Sequence, residues 1–186
     1  MQRFEKEHFV QITEALLAEP GDIRRFIQQA VDYWPRLLAV HFTLHSTEGI
    51  NGQQIHAFCT SFYRQVHERI TERNHMASPS SPVVLRWLRE DSEKETMRCL
   101  LLFSQGLICH SRASVTVDEE CSQVVDLLQQ TWRVISAGGQ CRLERCFQVA
   151  RDDTSDQYVA LKTAAILLIL PVISTTIRGC VIGDDN

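Results

Sequence analysis

"RLLAVHFTLH", residues 36–45, alternates with a period of two. Leu38, Val40, Phe42 and Leu44 fall on one side of an extended chain, and Leu37, Ala39, His41, Thr43 and His45 fall on the other. This alternation predicts a β-strand, and one that sits centrally in its sheet.

Working outward, the period changes. "STEGING", residues 46–52, is a loop, and residues 53–73 return to a helical spacing with Ile55, Phe58, Phe62, Val66 and Ile70 inward. "NHMASPSSP", residues 74–82, is turn-rich. "VVLRWLRE", residues 83–90, and "TMRCLLLFSQ", residues 96–105, read as strands joined by the polar turn "DSEKE", which predicts a hairpin. Thr116 with Glu119 makes a capping-box pattern, and the helix behind it places Val124, Val125, Leu127, Leu128 and Trp132 inward. "SAGGQ" breaks that helix, and "CRLERCFQVA", residues 141–150, is a fourth strand. Thr154 and Gln157 form a second capping pattern before a last apolar helix.

Upstream, Phe4, Phe9, Ile12, Leu16 and Leu17 predict a helix over residues 4–18. Asp22 is placed to cap a second helix with an apolar stripe from Ile23 to Trp34, ended by Pro35. The order after residue 36 is β-α-β-β-α-β-α, which is the split β-α-β arrangement. The expectation is an α+β protein: a ferredoxin-like antiparallel sheet with helices on one face, plus two N-terminal helices. Residues 1–35 would form a helical appendage and residues 36–186 the α+β domain.

With 186 residues and 44% apolar content the chain suits one domain with one real core. Its formal net charge of -4 exerts no global pull toward nucleic acid. Only Lys6, Lys94 and Lys162 are lysines among the 19 basic residues. The arginines suit local bidentate contacts to phosphate or carboxylate, and ion pairs within the protein equally well. The seven cysteines form no C-x-x-C pair. That usage fits buried free thiols in a reducing compartment, so a cytoplasmic location is expected. The cysteine spacing does not suit a Cys-rich zinc site, and no cofactor and no metal site are expected. "TAAILLILPVISTTI", residues 163–177, is too short for a membrane span and is broken by Pro171, so it reads as a buried helix followed by an extended segment.

From about residue 33 to 165 the chain resembles the inovirus-type replication protein family (YagK/YfjJ C-terminal-like), relatives of the HUH rolling-circle replication endonucleases. Leu44 and His45 match the end of that family's first strand, where His41 and Thr43 stand in place of an arginine and an acid. Trp87, Arg89 and Glu90 match its aromatic-x-Arg-Glu strand, and "LLQQTW", residues 127–132, matches the apolar run ending at Trp132. The family's third strand carries His-x-His ahead of an apolar run. Aligning "CLLLF" with that run leaves Glu95 and Met97 at the histidine places.

What the resemblance implies is therefore divided. Nickase chemistry needs a divalent metal on the scissile phosphate. Glu95 could offer an oxygen, but the Met97 thioether suits neither Mg²⁺ nor Mn²⁺. His41 and His45 share a strand face roughly 13 Å apart, too far for one metal. Tyr158 and Lys162, at i and i+4 of the last helix, stand where a nucleophile and its helper would. They also fit an amphipathic helix edge, with the tyrosine ring buried and the lysine snorkelling beside it. Arg142, Arg145 and Arg151 could line a phosphate path along the fourth strand, diluted by Glu144, Asp152 and Asp153.

The expected function is a non-catalytic HUH-like binding module of a prophage or other mobile element. It would act through a protein partner, in a regulatory or phage-conflict role, or through weak nucleic-acid binding, and it would assemble as a homodimer with no membrane association. One alternative is an active metal-dependent nuclease or nucleotide-handling enzyme with an altered site built from His45, Glu95 and Tyr158. Another is a DNA-binding replication accessory protein.

Overall fold

In the computed structural model the stretch that opened the sequence analysis is strand β2, Arg36–His45, and it lies inside the sheet with a neighbour on each side. The structure describes residues 10–17, 19–73, 83–90, 94–108, 117–151, 156–168 and 176–183. Its elements run β1 (Val10–Leu17), α1 (Pro20–Tyr33), β2, α2 (Gly52–Arg73), β3 (Val84–Glu90), β4 (Thr96–Ser104), α3 (Gln105–Ile108), α4 (Val117–Ile135), β5 (Gln140–Ala150), α5 (Asp156–Leu167) and β6 (Thr176–Gly183). One six-stranded sheet has the order β1-β6-β3-β4-β2-β5, and every neighbouring pair is antiparallel. The class is mixed α and β.

The two faces of β2 organise two cores. Leu38, Val40, Phe42 and Leu44 pack with Phe58, Phe62 and Val66 of α2 and with Val124, Leu128 and Trp132 of α4. Leu37 and Ala39, on the other side, pack with Ile23, Ile27 and Ala30 of α1 and with Leu161 and Ala165 of α5. Helices therefore cover both faces of the sheet, which corrects the expectation of helices on one face. The physical reason is visible in β2, β3 and β4, where Leu37, Ala39, Leu88, Leu100 and Leu102 are wholly buried on the second side and require their own apolar cover.

The second correction lies at the N-terminus. Residues 10–17, expected within a helix, are a strand paired along its full length with β6. Val10, Ile12 and Thr13 are β-branched, and Ile12 and Leu16 satisfy a period of two as well as they satisfy a helical one. Tertiary pairing with the β-branched "TIRGCVIG", residues 176–183, decides between the two. The segment expected as an appendage thus contributes a strand to the main sheet and, through α1, part of the second core. Of the apolar C-terminal run, the helical part ends at Leu167 and a strand begins at Thr176. Both expected capping residues, Thr116 and Thr154, lie outside the described residues.

Local chemistry sets the helix ends. Pro20 occupies the first turn of α1, where a missing N–H costs nothing, and Asp22 follows it in that turn at the positive end of the helix. The helix stops at Trp34, whose extended backbone is what the following Pro35 demands. At the start of α2, Asn51 N–H donates to Gln54 Oε1 at 3.0 Å and Gln54 N–H donates to Asn51 Oδ1 at 2.9 Å, a reciprocal cap.

The turn between α4 and β5 ties the end of β2 to the helix layer. Trp132 Nε1–H donates to the backbone carbonyl of His45 at 3.0 Å, and Ser136 Oγ accepts from Gly139 N–H at 3.0 Å. Gly139 sits within this crossing. A Cβ there would lie 2.5 Å from the His45 carbonyl and 2.7 Å from Trp132 Nε1, and against Ser136 Oγ. We expect Gly139→Ala to cost about 1–3 kcal/mol, the range for forcing a methyl group into filled space. A urea melt of the variant measures this, and an unchanged midpoint with unchanged slope would contradict it.

Candidate functional site

Midway along β2 the cover on the second face ends. Ala39 is wholly buried under α1 and α5, whereas His41, Thr43 and His45 on the same side are partly exposed. Antiparallel register brings further polar residues beside them: Arg98 opposite Thr43 and Thr96 opposite His45 from β4, and Arg145, Arg142 and Gln140 from β5. This open end of the sheet is the candidate site.

A β-bulge shapes it. The β2–β5 register passes from His41 opposite Arg145 to Phe42 opposite Leu143, which leaves Glu144 as an extra residue on β5. Such bulges re-aim side chains. Here Glu144 turns back over β2, where Oε1 accepts from Thr43 Oγ1 at 3.0 Å and Oε2 accepts from Arg142 Nη2 at 3.2 Å. Burial by itself would raise the Glu144 carboxyl, but the hydrogen bonds from Thr43 and Arg142 and the charges of Arg142 and His41 outweigh it and hold the group below its usual range. Across the site, Glu90 of β3 accepts from Arg98 Nε at 2.7 Å and from the Arg98 backbone N–H at 2.8 Å. The Arg145 guanidinium lies 5.0 Å from the centroid of the Phe147 ring.

His41 sits beneath these groups. Its Nε2 is closed off from solvent and has no hydrogen-bond partner among the described residues. Burial pushes its pKa down and the charge of Arg98 adds to that; Glu144 and Glu90 oppose them without winning. His41 thus takes up a proton less readily than a free histidine.

The residues singled out in the sequence are distributed over three places. Arg142, Arg145 and His45 come together on the open face. Arg151 does not join them, because its guanidinium donates to the Asp32 carbonyl at the end of α1. Tyr158 and Lys162 touch each other, but on α5: the Tyr158 hydroxyl donates to Gln28 Oε1 of α1, and Lys162 Nζ lies 4.1 Å from the tyrosine ring centroid. Burial and the charge of Asp32 push the Tyr158 phenol up, away from a phenolate. Glu95 is an exposed turn residue, and Met97 is buried against the α2–α4 layer, opposite Leu44 in the register. His45 therefore faces away from Met97, on the other side of the sheet. The divalent metal implied by the resemblance does not fit this donor set, since one position offers a thioether inside the core and the others do not share a face. Among the described residues no three His, Cys, Asp or Glu side chains converge on one point.

Three features carry no sequence signal that pattern reading could use. Glu144 and Thr43 meet only because of the bulge. Glu14 of β1 meets Arg89 and Trp87 of β3 across β6, accepting from Arg89 Nε at 3.1 Å, Arg89 Nη2 at 3.2 Å and Trp87 Nε1 at 3.2 Å. Gly179 of β6 stands opposite both Glu14 and Trp87 in the register. Trp87, Arg89 and Glu90, the matched aromatic-x-Arg-Glu stretch, are thus all engaged within the fold. Finally, the small cavity of about 30 Å³ beneath α2 is lined by Phe58, Cys59, Trp87 and Arg89. Burial pushes the Cys59 thiol up to about 12, so it is unreactive at neutral pH.

The lowered pKa of His41 has a consequence for stability. A histidine whose pKa is lower in the folded chain binds fewer protons there than when unfolded, so stability is lost as pH falls below the unfolded value of 6.5. We expect the thermal midpoint to fall between about pH 7 and pH 5, and to fall less steeply in His41→Gln. Parallel melting curves across that window check this, and an identical slope in the variant would remove His41 as the cause.

No curated protein and no solved structure matches the chain. One family model does, over residues 10–148, from the start of β1 into β5 and across every residue placed on the open face. That span exceeds half of the sequence, and the chain belongs to the family described as Uncharacterised conserved protein UCP030791.

Proposed function

We propose that this chain is a non-catalytic binding module, HUH-like in descent and carried by a mobile element, which acts through a protein partner. The observation that carries this reading is the separation of the parts that nickase chemistry must bring together. Met97 lies in the core on one side of the sheet, His45 opens on the other, and Tyr158 is occupied at the α1–α5 seam. Metal charge stabilisation is worth several kcal/mol of barrier, and a lone tyrosine with a raised pKa does not replace it.

The strand order supports the ferredoxin-like part of the proposal. β5-β2-β4-β3, with α2 and α4 together on one side, is the order of a split β-α-β core. β1, β6, α1 and α5 would then be additions that widen the sheet and cover its second face.

Charge favours protein over nucleic acid as the partner. On the open face Arg98 is matched by Glu90 and Arg142 by Glu144. A phosphate backbone is held by a run of uncompensated cations, and a mosaic of paired charges in a chain of net charge -4 does not offer one. Nucleic-acid binding is expected to be weak, salt-sensitive and without sequence choice. Self-association, expected as a homodimer, draws on the exposed Val159 and Leu167 of α5; the apolar stripe of α1 is used up inside the second core. No helix among the described residues is long and apolar enough to cross a membrane.

The purified protein is expected not to cleave single-stranded or hairpin DNA with Mg²⁺ or Mn²⁺. Tyr158→Phe should lose only about 1 kcal/mol of stability, the worth of one hydrogen bond. Metal-dependent cleavage with a covalent adduct on Tyr158 would overturn the non-catalytic reading.

A further inference from the structure

We propose that the open end of the sheet, around Arg142, Arg145 and His45, is the docking face for an acidic segment of a partner protein. This rests on the reading that the chain acts by binding protein.

The chain as a whole is acidic, at -4, yet among the described residues this face gathers Arg98, Arg142 and Arg145 against Glu90 and Glu144, beside His41 and His45. Its sign is opposite to that of the rest of the molecule, so it favours a ligand of negative charge.

The two β5 arginines are suited to carboxylates in different ways. Arg145 has its guanidinium over the Phe147 ring, 5.0 Å from the centroid. Among the described residues no carboxylate pairs with it. A guanidinium held over a ring in this way keeps its donor fork for an incoming carboxylate. Arg142 is paired with Glu144, but its side chain is 80% exposed. Exposed pairs of this kind are weak and exchange readily. A ligand carboxylate can take over Arg142 while Glu144 keeps its bond from Thr43.

His41 lies under the same face. It meets Glu144 and Arg145 from β5, Arg98 from β4 and Glu90 from β3, with Thr43 two residues along its own strand. Its Nε2 is closed to solvent, so it acts on a ligand through charge and not by contact. An acidic chain laid over the arginines adds negative charge above the ring and favours its protonation. Proton uptake on binding makes the affinity rise as pH falls.

The test is fluorescence anisotropy on the full chain at low salt with three labelled probes: a short Asp/Glu-rich peptide, an Asn/Gln peptide of equal length, and single-stranded oligo-dT. The acidic peptide is expected to bind and the neutral peptide not to. Arg142→Glu and Arg145→Glu should each weaken binding about fivefold or more. Arg133→Glu, on the exposed surface of α4, should leave it unchanged. Glu144→Gln should tighten it, which loss of a merely structural contact would not do. Binding should strengthen from about pH 7.5 to pH 6 in the parent chain, and this gain should be smaller in His41→Gln.

No binding of the acidic peptide, or equal weakening by Arg133→Glu, overturns the proposal. Tighter binding of oligo-dT than of peptide, lost through the same β5 arginines, overturns it in favour of nucleic acid. Each of these results leaves the non-catalytic reading standing, since only Tyr158-dependent cleavage removes that.

Discussion

The change of surroundings at His41, halfway along β2, is the constraint on which the rest depends. Before it, the strand is apolar on both sides and must be covered twice. After it, only the side of Phe42 and Leu44 is apolar. α1 and α5 therefore reach only as far as Ala39, and the remainder of that face is left to polar groups. The bulge at Glu144 comes at the same point, so the β5 side chains are re-aimed where the cover stops.

That constraint was visible in the sequence as the switch from Leu37 and Ala39 to His41, Thr43 and His45. The hairpin of β3 and β4, the long helices α2 and α4, and the fourth strand were likewise legible, because each presents one clear period over many residues. The N-terminal strand was not. Eight residues containing Ile12, Leu16 and Leu17 satisfy two periods, and the partner that decides between them is about 165 residues away in sequence. The cover on the second face was missed for a related reason. Leu88, Leu100 and Leu102 look like ordinary strand residues until one asks what lies on each side of them.

The site was legible only in part. Arg142 and Arg145 could be placed on one strand, and His45 on another, but their meeting depends on register. In the sequence Glu144 only dilutes the positive charge of its strand, and yet it is the residue that Thr43 and Arg142 both hold. Trp87, Arg89 and Glu90 were read as a family motif. The structure gives each a partner inside the fold: Glu14 for the first two and Arg98 for the third. A buried guanidinium bonded by two nitrogens to one carboxylate joins β1 to β3 across β6 and closes the sheet on its N-terminal side.

The central claim is that the chain binds a partner through the half of the sheet that α1 and α5 leave uncovered. NMR shift mapping with the acidic peptide tests it most directly. The account predicts that amide perturbations cluster at Thr43 and His45 of β2, Arg98 of β4 and Arg142 to Arg145 of β5. Perturbations confined to the α2–α4 layer, or to α5 around Tyr158 and Lys162, would contradict it.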